Sequence, residues 1–148
     1  MNAGGYLLDV NVLIAGTDPG HEFHGRVRAW LRSIRGAALL FCPIVENGFL
    51  RIYGSAQYPG GPGSPEGAMP ALQALRDLPG VRFTPDDISI TDSTLFRSLT
   101  QVTSRRLTDA YLLALAVKAG ASFATLDRGI GTEAVWAATH AVAVIPEA

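Results

Sequence analysis

One cysteine, one lysine and no long apolar run set the first limits on this chain of 148 residues. The lone thiol, Cys42, excludes an internal disulfide framework and a multi-cysteine zinc site. It lies in an apolar stretch, where a packed core thiol is the ordinary case. No stretch approaches the ~20 apolar residues that a membrane span needs, and no basic segment leads into a long apolar one near the start, as a secretion signal would. The expectation is a cytoplasmic protein in a reducing compartment, with no membrane partner. A G-x-G-x-x-G turn is missing after the first apolar segment, which excludes the usual dinucleotide-binding domain. His21, His24 and His140 share no metal-ligand spacing on a predicted helix face. Charge of one sign is missing as well: the net charge is -1, so no strong basic field advertises nucleic-acid binding. Eleven of the twelve positive residues are arginine, the exception being Lys118. Arginine suits bidentate phosphate contacts, although a GC-rich genome produces the same bias.

What is present is a globular composition, 48% hydrophobic and 17% charged, long enough to bury a core and of a size for one domain over residues 1–148. Tyr6–Asp9 reads as a buried strand that runs into a short helix from Val12. Between Glu22 and Arg35 the spacing of Phe23, Val27, Trp30, Leu31 and Ile34 predicts a helix. Its Arg26, Arg28, Arg32 and Arg35 read as a solvated face. Ala38–Cys42 is a second strand, and Pro43 suits the first turn of a helix running to about Tyr53. Residues 54–68 are rich in glycine and proline and read as a loop of the kind that is often mobile and sometimes covers a site. Helices are predicted over Met69–Leu78, Asp92–Val102, Arg106–Ala119 and Thr132–Ala138. Further strands are predicted over Val81–Thr84 (at a sheet edge), Ser122–Thr125 and Ala141–Ile145. Strands alternating with helices predict a three-layer α/β/α sandwich around a mainly parallel sheet.

Four carboxylates stand out in that frame. Asp9 and Asp127 follow apolar strands directly, and Glu46 and Asp109 sit in the opening turns of helices. In a parallel α/β sheet all four face the carboxyl edge, where such folds bind ligands. Each acid alone has an ordinary explanation. The helix macrodipole welcomes Glu46 and Asp109, and Asp127-Arg128-Gly129 is common turn chemistry. Only Asp9, in an apolar setting, resists one. Together they point to a hard divalent cation, since crowded carboxylates otherwise raise one another's pKa. Mg²⁺ or Mn²⁺ prefers such oxygens and would activate water toward a phosphodiester. Asn11, Thr108 and Thr125 are candidates to hold water or orient the acids, and Arg51 and Arg128 to contact phosphate. The remaining acids fall in predicted loops or on helix surfaces; Asp92, which opens a predicted helix, is the nearest to inclusion.

Four segments resemble the PIN domain, and within it the VapC-type toxins of bacterial toxin–antitoxin pairs. They are Leu7-Leu8-Asp9-Val10-Asn11-Val12-Leu13-Ile14, Val45-Glu46-Asn47-Gly48-Phe49-Leu50-Arg51, Leu107-Thr108-Asp109-Ala110-Tyr111-Leu112, and Ala124-Thr125-Leu126-Asp127-Arg128-Gly129-Ile130. The resemblance implies a Mg²⁺-dependent endoribonuclease in which Asp9, Glu46, Asp109 and Asp127 form the acidic quartet and Asn11 the accompanying amide. Asp9, Asp109 and Asp127 are then the expected metal ligands. It further implies homodimerisation, and inhibition by a VapB-type antitoxin lying across the RNA-binding groove. The glycine/proline stretch at 54–68 is longer than in the smallest members. A haloacid dehalogenase-type phosphatase would want an aspartate where Asn11 stands and a catalytic lysine, and Lys118 lies inside an apolar helix. A non-enzymatic RNA- or protein-binding module of the same fold would not require all four acids.

Overall fold

The computed structural model describes residues 4–147. Five strands form one sheet: β1 (Tyr6–Leu8), β2 (Leu39–Phe41), β3 (Val81–Phe83), β4 (Ser122–Thr125) and β5 (Val142–Val144). Their order is β3-β2-β1-β4-β5, and every neighbouring pair is parallel. Leu7 pairs with Leu40 on one side and Phe123 on the other. Apolar side chains at these positions follow from a sheet covered on both faces. The expected mainly parallel α/β sheet is borne out, with β3 at one edge.

The helices are α1 (Val10–Thr17), α2 (His24–Ser33), α3 (Pro43–Tyr53), α4 (Pro65–Arg76) and α5 (Leu107–Lys118). Right-handed crossovers send α1 to α4 to one face as the chain steps from β1 to β3. The return to β4 reverses direction and puts α5 on the other face. The packing agrees: α1 lies on α2 and α3, α3 on α4, and α5 on β4 and β1. Ala110 to Ala116 of α5 are all buried, which is why its sequence is apolar all round rather than striped. Gly48 lets α3 close on α1, since a Cβ there would meet Val10 Cγ2 at 2.8 Å.

Three expectations are corrected. Asp92–Val102 is not a helix but a chain of turns. Asp92 Oδ1 accepts from the Thr94 backbone N–H at 2.9 Å, and the Ser98 and Thr100 hydroxyls bond each other. Short polar side chains that bind their own backbone compete with helix formation. Thr132–Ala138 is not helical either. Phe96 and Val135 form an antiparallel bridge between the two segments, and Ala137 has φ +58°, outside helical space. The third correction is at residues 54–68. Helix α4 begins at Pro65, with Ser64 Oγ accepting the Gly67 N–H at 3.0 Å as its cap. Proline at the first helical position after a serine is a helix start; the neighbouring Pro62, Gly63 and Pro70 disguise it. The remaining loop is anchored through Tyr58, whose hydroxyl donates to Asp18 Oδ2 at 2.7 Å. Asp18 follows the last residue of α1 while Asp9 precedes the first, so the anchor lies a helix length, about 12 Å, from Asp9.

Arg28 and Arg32 of α2, and Arg35 just beyond its end, are exposed as expected. Arg26 instead turns inward, its guanidinium donating to Ile145 O beyond β5.

Candidate active site

The strand order reverses between β1, whose connection leads to β2, and β4, whose connection leads to β5. The crevice beyond the carboxyl ends at such a switch point is the usual ligand site of an open α/β sheet. Asp9 and Thr125 stand at that point. Asp9 is the cap of α1: its backbone is extended (φ -65°, ψ 154°), and its Oδ1 accepts the Val10 N–H at 2.8 Å. Its own N–H donates to Ala124 O at 3.0 Å, which fixes it beside the end of β4. Asp9 Oδ2 accepts from the Thr125 hydroxyl at 3.0 Å. Thr125 is fully buried, and its Oγ1 also accepts the Asp127 N–H at 3.1 Å. One hydroxyl therefore joins the two strand-end acids.

Asp109, in the first turn of α5, is the third member. Burial, with the charges of Asp109 and Asp127 adding to it, pushes the Asp9 pKa from 3.8 up to about 6, against the hydrogen bonds from Thr125 and Val10. Burial raises Asp109 as well; Arg106 opposes that shift and Asp127 adds to it. Asp127 is more open and is held below the ordinary carboxylate range, first by the Gly129 N–H at 2.7 Å and then by Arg106. The three carboxylates thus share one electrostatic neighbourhood.

Arg106 completes it. It ends a 3₁₀ turn over Ser104–Arg106 that leads straight into α5. Its Nη1 donates to Asp127 Oδ2 and lies 3.5 Å from Asp109 Oδ2. Two clefts, of about 520 and 240 Å³, share Arg106 and Asp109 in their walls. The larger adds Thr103, Ser104, Arg105 and Asp127.

Glu46 is not brought into this group. It lies in the first turn of α3 as expected, but its Oε2 accepts from Arg76 Nη1 of α4 at 2.6 Å. Arg76 is itself held over the Phe83 ring, 5.0 Å from the centroid. Asn11 and Thr108 are exposed in the first turns of α1 and α5. Arg51 is exposed in the last turn of α3. Arg128 pairs with Glu147 at 2.7 Å, both largely exposed. Two residues escape sequence reasoning. Asp86 accepts the Ile44 N–H at 2.9 Å and the Tyr111 hydroxyl at 3.0 Å. It ties the start of α3 to α5, and nothing in its loop-like sequence marks it. Arg106 offered a weak signal, its i,i+3 spacing to Asp109.

The donor set suits a hard divalent cation in kind: carboxylate oxygens, with raised pKa values at Asp9 and Asp109. As the side chains lie, no three acidic, histidine or cysteine residues among those described are grouped so as to hold a metal ion. A guanidinium already stands between two of the three acids, so the fit requires Arg106 to move aside.

Comparison with known proteins supports the resemblance found in the sequence. The PIN domain family model matches residues 6–132. Ribonuclease VapC44 of Mycobacterium tuberculosis is 38% identical over 136 residues, covering 90% of this chain and 93% of that protein. Ribonuclease VapC38 of the same organism is 36% identical over 127 residues, covering 85% and 87%. Among solved structures, that of Mycobacterium tuberculosis VapC20, a sarcin-ricin loop cleaving toxin, superposes with a TM-score of 0.60 at 14% identity over 88% of this chain and 98% of the other. That likeness concerns the fold. A family match across most of the length, joined by relatives well above 30% identity, means that this chain belongs to the PIN domain family.

Proposed function

We propose that this chain is a divalent-metal-dependent endoribonuclease, acting on RNA phosphodiester bonds as the toxin of a type II toxin–antitoxin pair, with residues 1–148 as one nuclease domain. The observation that carries the reading is that the Thr125 hydroxyl links Asp9 to Asp127 and Arg106 links Asp127 to Asp109, at the switch point of the sheet. Family membership and the ribonuclease names of its relatives support the reaction class.

Asp9, Asp109 and Asp127 would hold Mg²⁺, with Mn²⁺ as a substitute. When bound, such an ion polarises a phosphodiester and makes a coordinated water acidic. The chain's own residues supply the rest. Thr125 orients the carboxylates of Asp9 and the loop carrying Asp127. Asn11 and Thr108, exposed on flanking helix turns, hold water. Glu46 would complete the acidic quartet from α3 once its partly exposed pair with Arg76 opens. Arg51 and Arg128 are free enough to take RNA phosphates, Arg128 by leaving Glu147. The partners that follow are RNA, a VapB-type antitoxin covering the carboxylate edge, and a second copy of the chain.

The test is cleavage of single-stranded RNA by the purified chain with Mg²⁺, with Mn²⁺ and with EDTA. Cleavage in both metals, its loss in EDTA, and its loss in Asp109→Asn are expected. Equal cleavage by parent and Asp109→Asn, or cleavage indifferent to EDTA, would overturn the reading.

A further inference from the structure

We propose that Arg106 is the resident counter-cation of the carboxylate cluster: it holds Asp109 and Asp127 until a divalent ion takes its place, and then turns into the cleft to bind the RNA phosphate. This rests on the metal-dependent reading above.

The geometry carries both halves. The guanidinium bonds Asp127 and approaches Asp109 at 3.5 Å, two of the three acids that would hold an ion. A guanidinium and a metal ion held by the same carboxylates repel each other at that range. Arginine stays protonated at any ordinary pH, so it yields the site only by rotating away. It is built to do so. The side chain is 44% exposed, while its backbone is fixed in the turn that starts α5. It passes over Gly129, where a Cβ would stand 2.9 Å from Nη2, so a side chain at that position would crowd the arm. Arg106 already lines both clefts, beside Arg105 in the larger one, so an arm released from the acids stays at their walls. The planar fork then suits a phosphate as it suited a carboxylate.

Mn²⁺ titration of the EDTA-treated, dialysed full chain by calorimetry separates the possibilities, comparing parent, Arg106→Gln and Arg106→Lys. Arg106→Gln is expected to bind Mn²⁺ about fivefold more tightly than parent, the scale of a partly exposed ion pair removed. Arg106→Lys, which keeps the charge, is expected to stay within about twofold of parent. At saturating Mn²⁺, Arg106→Gln is expected to show a raised KM for single-stranded RNA. Circular dichroism should show parent-like folding, as the side chain is at the surface. Unchanged or weaker Mn²⁺ binding by a folded Arg106→Gln, with the parent site intact, would sink the counter-cation role and leave the nuclease reading standing. Absence of saturable Mn²⁺ binding in the parent would overturn both.

Discussion

Two groups of acids at the same edge of the sheet are treated differently by this fold. Asp9, Asp109 and Asp127 come from a strand end, a helix start and a strand-following loop, and they meet at the β1/β4 switch point. Glu46 also occupies a helix start but is matched one-to-one with Arg76. The first group has more negative charge than its single guanidinium answers, and burial makes the excess costly: Asp9 holds its proton up to about pH 6. Glu46, whose side chain is no more exposed than that of Asp109 (20% against 24%), differs in having a guanidinium to itself. The difference between the two is one of charge balance: Glu46 has a guanidinium of its own, whereas Asp109 and Asp127 divide one.

The contrast breaks most sharply at the metal. Asp109→Asn and Asp127→Asn each remove an oxygen donor from the cluster. Since a bound ion stabilises such a transition state by several kcal/mol, cleavage should fall about 10³-fold. Saturable Mn²⁺ binding should vanish while circular dichroism stays that of the parent. If either variant kept both Mn²⁺ affinity and rate, that residue would belong with Glu46 rather than with the cluster.

Next in size is a pH effect in the metal-free protein. An unfolded chain releases the Asp9 proton near 3.8, and the folded one only near 6. Between those values the unfolded state binds fewer protons, so stability falls as pH rises, and it levels off above about pH 6.5. The loss from this group is at most about 3 kcal/mol. Asp9→Asn keeps an oxygen for the Val10 N–H but carries no titrating proton. Denaturant melts in EDTA should show the variant gaining on the parent between pH 4 and 6 and holding that gain above it. A difference that is flat across this range would mean that burial does not raise the Asp9 pKa in the folded chain.

Thr125 tests whether the cluster is held together as a unit. Thr125→Val leaves the Asp127 N–H and one Asp9 oxygen without their partner, at about 1–3 kcal/mol in stability. Mn²⁺ affinity should drop about 10–100-fold, as when an outer partner of a metal ligand is removed. Thr125→Ser, which keeps the hydroxyl, should restore most of the affinity. Rescue by serine distinguishes the hydroxyl's role from simple packing.

How far the sequence carried this picture depends on the range of the signal. Asp9 and Asp127 were legible because each ends a run of buried apolar residues, and α5 because seven consecutive buried positions have good helix formers. Local pattern also placed Glu46 and Asp109 in first turns. It did not say where their side chains turn. The partner of Glu46 sits on α4, whose start is hidden among prolines and glycines, and thirty residues separate the pair. Arg106 reaches Asp127 across twenty-one residues, and only the packing of α5 back along β4 makes them neighbours. The helices expected at 92–102 and 132–138 failed for a local reason, side chains bonding their own backbone, and for a distant one, since Phe96 and Val135 pair with each other.

The smallest effect bears on Glu46 itself. Its pair with Arg76 is a single hydrogen-bonded contact between partly exposed groups, so a double-mutant cycle of Glu46→Gln and Arg76→Ala should give a coupling of about 0–1 kcal/mol. Arg76→Ala also loses its contact with the Phe83 ring, which the cycle cancels. Cleavage by Arg76→Ala should stay within about twofold of parent, because freeing the carboxylate removes no donor from the cluster. Glu46→Gln should slow cleavage about tenfold and leave Mn²⁺ affinity nearly unchanged, as a group acting on the bound water rather than on the ion would. Should Glu46→Gln instead abolish Mn²⁺ binding, the side chain must leave Arg76 and join the other three, and the two groups of acids would be one.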